Sequence, residues 1–357
     1  MSKVEYDKVI AFHPGYYIGE VIEDSGMTQV EFAKRLDITP KNLSELIHGK
    51  TSMSRKVAKN LAAMLGTSVE VWLELQKTFD AKLIEIDRLK AEETELFYLS
   101  KFRYSFFQTV GDLKPTKKKT EQLGELLSFL KVSSLKLLED PDFIVQYRRT
   151  ASNHEDAVFI SNLWVQTIYT LGAKQPTEKY TKKSLTEAID KLRSFNHRNP
   201  GDVLDEMKAI LARAGVALVV IPSLSRSGIF GATKWIGRDK AIVGLTDRRK
   251  SADTFWFSLF HELAHVLEYR TKQTYVLTED SQADEIETQA DDFAKDILIP
   301  NKSYDHWIKE KVFTEDDVIA FAKASDVHPG ILVGRLQKEG LIGYRHLNHL
   351  KMKFSLN

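Results

Sequence analysis

The chain has no cysteine among its 357 residues, and this absence narrows the chemistry that it can carry. Disulfide bonds and thiolate zinc fingers are excluded, so nitrogen and oxygen ligands must hold any metal ion. No segment approaches the roughly 18 uninterrupted apolar residues of a membrane span, and no apolar run follows a basic start. We therefore expect a cytoplasmic protein without membrane contact. Because the net charge is only +1, affinity for nucleic acid would have to come from a local patch.

One short motif carries most of the chemical information. His261 and His265 lie four residues apart in an apolar stretch, so a helix places both imidazoles on one face. Two such histidines can each give a neutral nitrogen to a zinc ion, and Glu262 beside the first can act as the general base. This is the arrangement of the zincin peptidases. A degenerate relic that holds no metal is the alternative.

A catalytic zinc site needs a third protein ligand, and an acidic segment downstream supplies a candidate. The pattern from Asp284 to Pro300 predicts a second helix, and Glu287 borders its apolar stripe. We predict Glu287 as the third ligand because catalytic zinc usually has three protein ligands. Asp291, one turn later, can accept the spare N–H of a ligating histidine and orient its ring. The alternative is that these acids form only a solvated helix face.

The two segments together resemble the ImmA/IrrE family of metallo-endopeptidases, and the matching stretches are Phe260-His-Glu-Leu-Ala-His265 and Glu287-Thr-Gln-Ala-Asp-Asp-Phe-Ala-Lys-Asp-Ile-Leu-Ile-Pro300. The resemblance implies three metal ligands and one general base, which are His261, His265, Glu287 and, as the base, Glu262. The spacing of Glu287 and Asp291 also resembles the gluzincin class. The chain departs from the family at Gln289, where a second glutamate is common, and at Asp291, where asparagine is common. Neither departure touches a predicted metal ligand.

The N-terminal part of the chain shows a different pattern, a series of short helices with clear start and stop signals. The signals predict helices over 14–25, 28–36, 40–48, 54–65 and from 68 onward. Thr28-x-x-Glu31 and Thr67-x-x-Glu70 are typical of capping boxes, and Thr39 followed by Pro40 starts the third helix. Apolar residues, Val30 among them, recur at helical spacing and are expected to form one small core.

A short helix, a tight turn at Asp37-Ile38 and a capped second helix predict a helix-turn-helix, whose second helix enters the major groove of DNA. We predict DNA contacts from the polar side chains on and around that second helix, Pro40–His48, because they face away from its apolar side. The predicted contacts are Gln29, Thr39, Lys41, Asn42, Ser44, Glu45, His48, Lys50 and Arg55, of which Gln29, Lys50 and Arg55 suit phosphates. A protein-interaction module with the same fold is the alternative.

This N-terminal segment resembles the Cro and lambda-repressor type of DNA-binding domain. The stretches most similar to HigA-type antitoxins are Phe12-His-Pro-Gly15 and Met27-Thr-Gln-Val-Glu-Phe-Ala33. The resemblance implies double-stranded operator DNA as a partner. Because one small module offers few DNA contacts, we also expect a homodimer.

A long helical region separates the two ends. One helix is predicted over 78–110, where aromatic residues indicate burial, although a dimer seam or a partner groove is the alternative. Further helices are predicted near 120–138, 142–151, 155–171, 182–195 and 202–214. Strand signals appear only after these helices, and they predict a three-stranded sheet from the segments 216–221, 228–235 and 240–245.

The segment after Pro300 predicts two more helices, over 314–323 and 328–337. Their arrangement around Ser325-Asp-Val327 resembles another helix-turn-helix, but we expect it to be a packing cap on the C-terminal domain. Three residues are candidates for a donor to the transition state of a peptidase reaction, and they are Tyr304, His306 and His328.

The predicted fold class is therefore α+β and mostly helical. We expect a helix-turn-helix domain over 10–80, a helical interaction region over 81–199 and a zincin-like domain with a small sheet over 200–357. The predicted function is a DNA-binding transcriptional regulator with a zinc-dependent endopeptidase domain, manganese being the alternative ion. Its expected partner is a protein substrate or a cognate toxin or repressor, in antitoxin-like or stress and phage-response regulation. The alternative is a non-catalytic HigA-type antitoxin or repressor whose zinc-like domain is a sensor or partner-binding module.

Overall fold

A computed structural model gives the fold of the chain over residues 2–141, 143, 156–268, 274–278, 285–309 and 313–356. The chain divides into two compact units, Met1–Phe97 and Tyr98–Asn357. The predicted fold class is confirmed, because the protein is mostly helical and its sheets are small. The predicted helix over 142–151 lies outside the described residues.

The helices of the first unit begin where the capping residues predict. They are α1 (Pro14–Ser25), α2 (Gln29–Arg35), α3 (Pro40–Ile47), α4 (Arg55–Leu65) and α5 (Val69–Ser100), whose last residues belong to the second unit. Thr28, Thr39 and Ser54 each accept a hydrogen bond from a backbone amide in the first turn of the helix that follows. Apolar side chains from all five helices form one core, including Ile18, Phe32, Leu43, Leu61 and Trp72.

Two details of these helices differ from the prediction. Val30 leaves 64% of its surface exposed, because it lies on the outer side of α2 rather than in the core. The cap of α5 is Ser68, whose Oγ accepts a hydrogen bond from the amide of Val71 at 3.3 Å. Thr67, the predicted cap, instead accepts a hydrogen bond from the indole of Trp72 at 2.8 Å. Adjacent Thr and Ser residues both suit a cap, so the sequence could not separate them.

A β-hairpin precedes α1, and the prediction of no strand in this region was wrong. The strands β1 (Lys3–Tyr6) and β2 (Val9–Phe12) pair antiparallel. Val9 of the hairpin clusters with Phe79 and Ile86 of α5. Each strand has only four residues, and the surface that stabilises them lies far along the chain, so no local pattern indicates them.

The single helix predicted over 78–110 is interrupted, since α5 stops before α6 (Tyr104–Gly111) begins. The break lets the aromatic residues fold back on one another. The ring of Phe102 lies 5.3 Å from that of Phe107 and 6.2 Å from that of Phe159, measured between centroids. Helical periodicity continues through the break, so the prediction had no signal for it.

The helical part of the second unit continues through α7 (Lys119–Leu130), a 3₁₀ helix (Leu135–Glu139), α8 (Ala157–Lys174), α9 (Lys182–Arg193) and α10 (Pro200–Arg213). The helix predicted near 120–138 therefore ends at Leu130, and a separate 3₁₀ helix follows it. The three helices predicted after residue 155 correspond to α8, α9 and α10. Among the described residues, none of the helices has the length and apolar character that crossing a membrane requires.

The sheet of the second unit consists of β3 (Val216–Val220), β4 (Ile229–Ile236), β5 (Lys240–Leu245) and β6 (Thr274–Thr278) in the order β3-β5-β4-β6. β3 and β5 are parallel, and β4 is antiparallel to both of its neighbours. The prediction found β3, β4 and β5 but missed β6. This fourth strand comes after the helix that carries the His-Glu-x-x-His motif, so it is separated in sequence from the other three strands.

Helices cover both faces of this sheet. On one face, α8 packs so closely that a Cβ on Gly244 would lie 2.2 Å from the side chain of Ile168. On the other face lies α11 (Ala252–Glu268), which carries the His-Glu-x-x-His motif and contacts β4 and β5. Because alternate residues of a strand face opposite sides, Gly231 and Thr233 of β4 both face α11.

Four more α-helices follow α11 in the described part of the chain. They are α12 (Glu285–Leu298), α13 (Asn301–Trp307), α14 (Glu315–Ala324) and α15 (Pro329–Lys338). α12 packs along α11, and α15 packs on α11 from another direction. The sequence predicted α12, α14 and α15, whereas the short α13 was missed.

Candidate metal centre and DNA-facing helix

α11 places the motif residues in the interior of the second unit. His261, Glu262 and His265 each have 0% of their surface exposed. The two histidines lie one turn apart and contact α12, whereas Glu262 contacts β4. Most polar groups buried at this depth have hydrogen-bond partners, and α12 and β4 supply the partners described below.

Glu287 of α12 lies against both histidines. Its Oε2 is 3.1 Å from Nε2 of His261, and its Oε1 is 3.4 Å from Nε2 of His265. The two Nε2 atoms are 3.1 Å apart. Ligand atoms about 2.0–2.1 Å from a tetrahedral ion lie about 3.3 Å from one another. The three side chains therefore have the spacing of ligands around one metal ion.

Asp291 supports this cluster from the far side of the first histidine. Its Oδ1 is 2.8 Å from Nδ1 of His261. A carboxylate at this position accepts the Nδ1 proton, which leaves Nε2 as the nitrogen that can bind a metal. The structure thus brings together His261, His265, Glu287 and Asp291, the four residues that the sequence analysis named for this site.

The carboxylates dominate the electrostatics of the cluster. Burial by itself would lower the pKa of His261, but hydrogen bonds with Asp291 and Glu287 raise it to about 9. Burial would likewise raise the pKa of Glu287, but hydrogen bonds with His261 and His265 lower it to about 2. Both shifts mean that the site stabilises positive charge between the rings and the carboxylate. The donor set and its charge therefore fit a divalent cation.

Glu262 is held on the sheet side of α11. Its Oε2 accepts a hydrogen bond from the hydroxyl of Thr233 at 2.6 Å. Its Oε1 is buried and has no hydrogen-bond partner in the described part of the chain. Burial raises the pKa of Glu262, while the charges of the two nearby histidines oppose that shift. A buried carboxylate oxygen of this kind is suited to receive a proton from a small ligand such as water.

β4 contributes two residues that the sequence analysis did not single out. Thr233 orients the carboxylate of Glu262, and Gly231 makes room for it. A Cβ on Gly231 would lie 2.7 Å from Oε1 of Glu262, which no ordinary contact permits. The signal was present in the sequence, because two small residues at alternate positions share one face of a predicted strand.

If this cluster binds a metal and hydrolyses peptides, the Thr233→Val variant should keep the metal but cleave peptides about tenfold more slowly than the parent. Valine has the shape of threonine but cannot donate a hydrogen bond, and bonds to charged groups are worth about 1.5–3 kcal/mol. The measurement is cleavage of a peptide library prepared from a cell proteome. Thr233→Ser keeps the hydroxyl and is the matched control. Equal cleavage by Thr233→Val and the parent would remove Thr233 from the mechanism.

The candidates for a transition-state donor are engaged elsewhere or exposed. The hydroxyl of Tyr304 donates a hydrogen bond to Glu339 at 2.6 Å, and burial followed by this bond raises the pKa of Tyr304. Nδ1 of His328 accepts a hydrogen bond from the amide of Gly330 at 3.1 Å and so caps α15. His306 is exposed on α13. No described contact connects any of the three with the histidine cluster.

The predicted DNA contacts lie on the outer side of the helix-turn-helix. Seven of them are exposed and two are half-buried, and they are, in chain order, Gln29, Thr39, Lys41, Asn42, Ser44 (half-buried), Glu45 (half-buried), His48, Lys50 and Arg55. Thr39 has a local role as well, because its Oγ1 accepts a hydrogen bond from the amide of Asn42 at 3.1 Å. Nζ of Lys41 lies 3.9 Å from a carboxylate oxygen of Glu45.

Comparison with known proteins assigns two domains. Residues 18–72 match the helix-turn-helix family, and residues 228–327 match the family described as IrrE N-terminal-like domain. The chain therefore carries a helix-turn-helix domain and, further along, an IrrE N-terminal-like domain of the M78 peptidase type. The resemblances seen in the sequence are therefore confirmed for the presence of these two domains.

Similar individual proteins match only part of the chain. The HTH-type transcriptional regulator YddM of Escherichia coli is 29% identical over 86 residues, which cover 23% of this chain and 92% of that protein. Virulence-associated protein A' of Dichelobacter nodosus is 41% identical over 69 residues, which cover 19% of this chain and 60% of the relative. An addiction module antidote protein of the HigA family from Coxiella burnetii is a solved structure with 30% identity and a TM-score of 0.22. That match covers 24% of this chain and 92% of the solved chain.

Proposed function

We propose that this chain, which combines a helix-turn-helix domain with an IrrE N-terminal-like domain, is a DNA-binding transcriptional regulator with metal-dependent endopeptidase activity. The observation that carries the peptidase assignment is the cluster of His261, His265 and Glu287 beside the buried carboxylate of Glu262. We propose zinc as the ion, with manganese as the alternative, held by those three residues. Asp291 orients His261 through its Nδ1.

In the proposed reaction, each residue of the site has a separate role in peptide hydrolysis. A divalent ion held there would act as a Lewis acid toward a peptide carbonyl. Glu262 takes a proton from the attacking water, because burial raises the pKa of this carboxyl toward the range of an effective base. Thr233 holds one of its oxygens, and the other has no partner among the described residues and can accept the proton. Comparing the parent with Glu262→Gln tests this assignment.

The edge of the sheet supports a protein as the substrate. β6 pairs with β4 along one edge, and no strand among the described residues pairs with its other edge. The open edge of a sheet can pair with an extended segment of another chain, and peptidases commonly bind their substrates in this way. We therefore propose a protein substrate, such as a cognate toxin or repressor, that presents an extended segment beside the metal centre.

The N-terminal unit supports operator DNA as the other partner. We propose that α3 enters the major groove and that the protein binds DNA as a homodimer, in the cytoplasm, within antitoxin-like or stress and phage-response regulation. The DNA-binding domain is proposed over 10–80, the helical interaction region over 81–199 and the peptidase-like domain over 200–357. The hairpin and the middle of α5 share a core, so a fragment ending at residue 80 would cut through it.

We expect Asn42→Ala to change the sequence preference of DNA binding, because an exposed amide on α3 is suited to base edges. Arg55→Gln should instead weaken binding to all duplexes and reduce the salt slope by about 1, as loss of a phosphate contact does. Fluorescence anisotropy of the full chain on promoter and scrambled duplexes across a salt titration measures both effects. Lys77→Gln, on the outer surface of α5, is the control. Equal affinity of the parent for both duplexes at every salt concentration would contradict the assignment.

A further inference from the structure

The turn of the helix-turn-helix occurs twice in this chain. Between α2 and α3 the sequence runs Phe32-Ala-Lys-Arg-Leu-Asp-Ile-Thr-Pro40, and between α14 and α15 it runs Phe321-Ala-Lys-Ala-Ser-Asp-Val-His-Pro329. The two segments share Phe-Ala-Lys, the aspartate and the proline at the same spacing, with a β-branched residue after the aspartate. In both, the proline begins the second helix and the residue before it caps that helix.

The backbone geometry of the two turns is the same. The shared aspartates, Asp37 and Asp326, have left-handed φ values of 57° and 52°. After each aspartate, the next amide reaches back across the turn. The amide of Ile38 donates to the carbonyl of Ala33 at 3.0 Å, and the amide of Val327 donates to the carbonyl of Ala322 at 3.0 Å.

The second helices of the two motifs nevertheless have opposite surroundings. α3 leaves Lys41 and Asn42 exposed and Ser44 and Glu45 half-buried, whereas most of α15 is buried against the rest of the second unit. Leu332, Val333 and Leu336 of α15 each have 0% of their surface exposed and lie in the same core as the residues of α11. A helix buried in this way cannot enter a DNA groove. The second motif must therefore serve the domain that it belongs to.

Arg335 of α15 contacts the segment that directly follows α12, at Ile299 and at Asn301, the first residue of α13. Its Nη1 donates to the carbonyl of Ile299 at 3.1 Å, and its Nη2 donates to Oδ1 of Asn301 at 2.8 Å. Its Nε donates to Glu339 at 3.0 Å, and its guanidinium lies 3.6 Å from the centroid of the Tyr304 ring. All of its donor nitrogens thus have partners, and the side chain is only 10% exposed.

Arg193 of α9 makes a similar connection from another direction. Its Nε donates to the carbonyl of Ile297 at 2.7 Å. Its Nη2 donates to the carbonyl of Ser325, in the turn of the second motif, at 3.0 Å. The last carbonyls of a helix have no partner within the helix, and the helix dipole favours positive charge there. Arg193 therefore holds the last turn of α12, and Arg335 holds the residues that directly follow this helix.

α12 is the helix that brings Glu287 and Asp291 to His261. A helix is stiff along its axis, so a shift at the clamped end moves both carboxylates relative to α11. On the basis of the proposed metal-binding function, we propose that Arg335 and Arg193 are positioning residues of the metal centre. They act through α12. The second helix-turn-helix motif carries Arg335 on its second helix, and the carbonyl of Ser325 in its turn accepts a hydrogen bond from Arg193.

The test measures the zinc affinity of the full chain by competition with a chelator, at a temperature where every variant is folded. Arg335→Gln is expected to bind zinc about tenfold more weakly than the parent, the range seen when groups that orient metal ligands are lost. Arg335→Lys keeps the charge but not the forked geometry of the guanidinium group. Its zinc affinity should therefore lie between those of the parent and Arg335→Gln. Arg198→Gln, which removes a surface ion pair to Glu206, should match the parent.

Cobalt substitution gives a second reading, because the visible spectrum of bound Co²⁺ reports the arrangement of its ligands. We expect Arg335→Gln and Arg193→Gln each to change that spectrum, whereas Arg198→Gln leaves it unchanged. A variant with a lower melting temperature but parental zinc affinity and cobalt spectrum would overturn the positioning role. If Arg335→Gln does not fold, the same measurements on Arg193→Gln test the positioning role, because the side chain of Arg193 is more exposed than that of Arg335. Absence of zinc binding by the parent itself would instead overturn the proposed function, and this proposal with it.

Discussion

Changing both His261 and His265 to alanine is expected to abolish stoichiometric zinc binding by the purified protein. The two Nε2 atoms and the carboxylate of Glu287 supply all three protein ligands in the proposed site. Apparent free energies of zinc binding are on the order of 10 kcal/mol in zinc-finger peptides, where a full set of protein ligands holds the ion. One remaining carboxylate cannot hold the ion against a competing chelator. Metal analysis after gel filtration, together with chelator competition, measures the effect.

The control for this experiment is a histidine that has no described contact with the cluster. His328 caps α15 and contacts Gly330, so His328→Asn should bind one zinc ion per chain as the parent does. Circular dichroism must show that the double variant is folded. A folded double variant that retains a full equivalent of zinc would refute the ligand assignment.

The elements that the sequence predicted well are those whose signals are local. Thr28, Thr39 and Ser54 begin helices because their side chains cap the next backbone amides, which needs no distant partner. The N-terminal hairpin and β6 have no such local signal. Val9 is buried by side chains of α5, and β6 is ordered by pairing with β4, so both depend on contacts between distant parts of the chain.

The same distinction applies to the candidate site. His261, Glu262 and His265 were evident because their spacing on one helix already fixes their relative positions. Glu287 and Asp291 followed from the chemistry that a histidine pair requires. Thr233, Gly231 and the two arginines that hold α12 come from separate elements, and only the packing of those elements on α11 brings them together. The fold brings these partners together, and no single motif indicates them as a group.

Glu262→Gln is expected to separate catalysis from binding. Glutamine has the shape of glutamate, and its amide oxygen can still accept the hydrogen bond from Thr233. It cannot take a proton from water, so peptide hydrolysis should fall by the 10²–10⁴-fold range, roughly, that general-base catalysis supplies. The metal ligands are unchanged, so zinc content, folding and DNA binding should remain at the level of the parent.

The most direct test of the central claim is quantitative mapping of new protein N-termini in cells that carry the parent, Glu262→Gln or the His261→Ala, His265→Ala double variant. If the protein is a metal-dependent endopeptidase, the parent should generate specific new N-termini in a partner protein, and both variants should lack them. If Glu262→Gln gives the same N-termini and the same regulatory response as the parent, while the double histidine variant loses the response, the metal domain is a sensor or a structural module and the peptidase assignment is wrong.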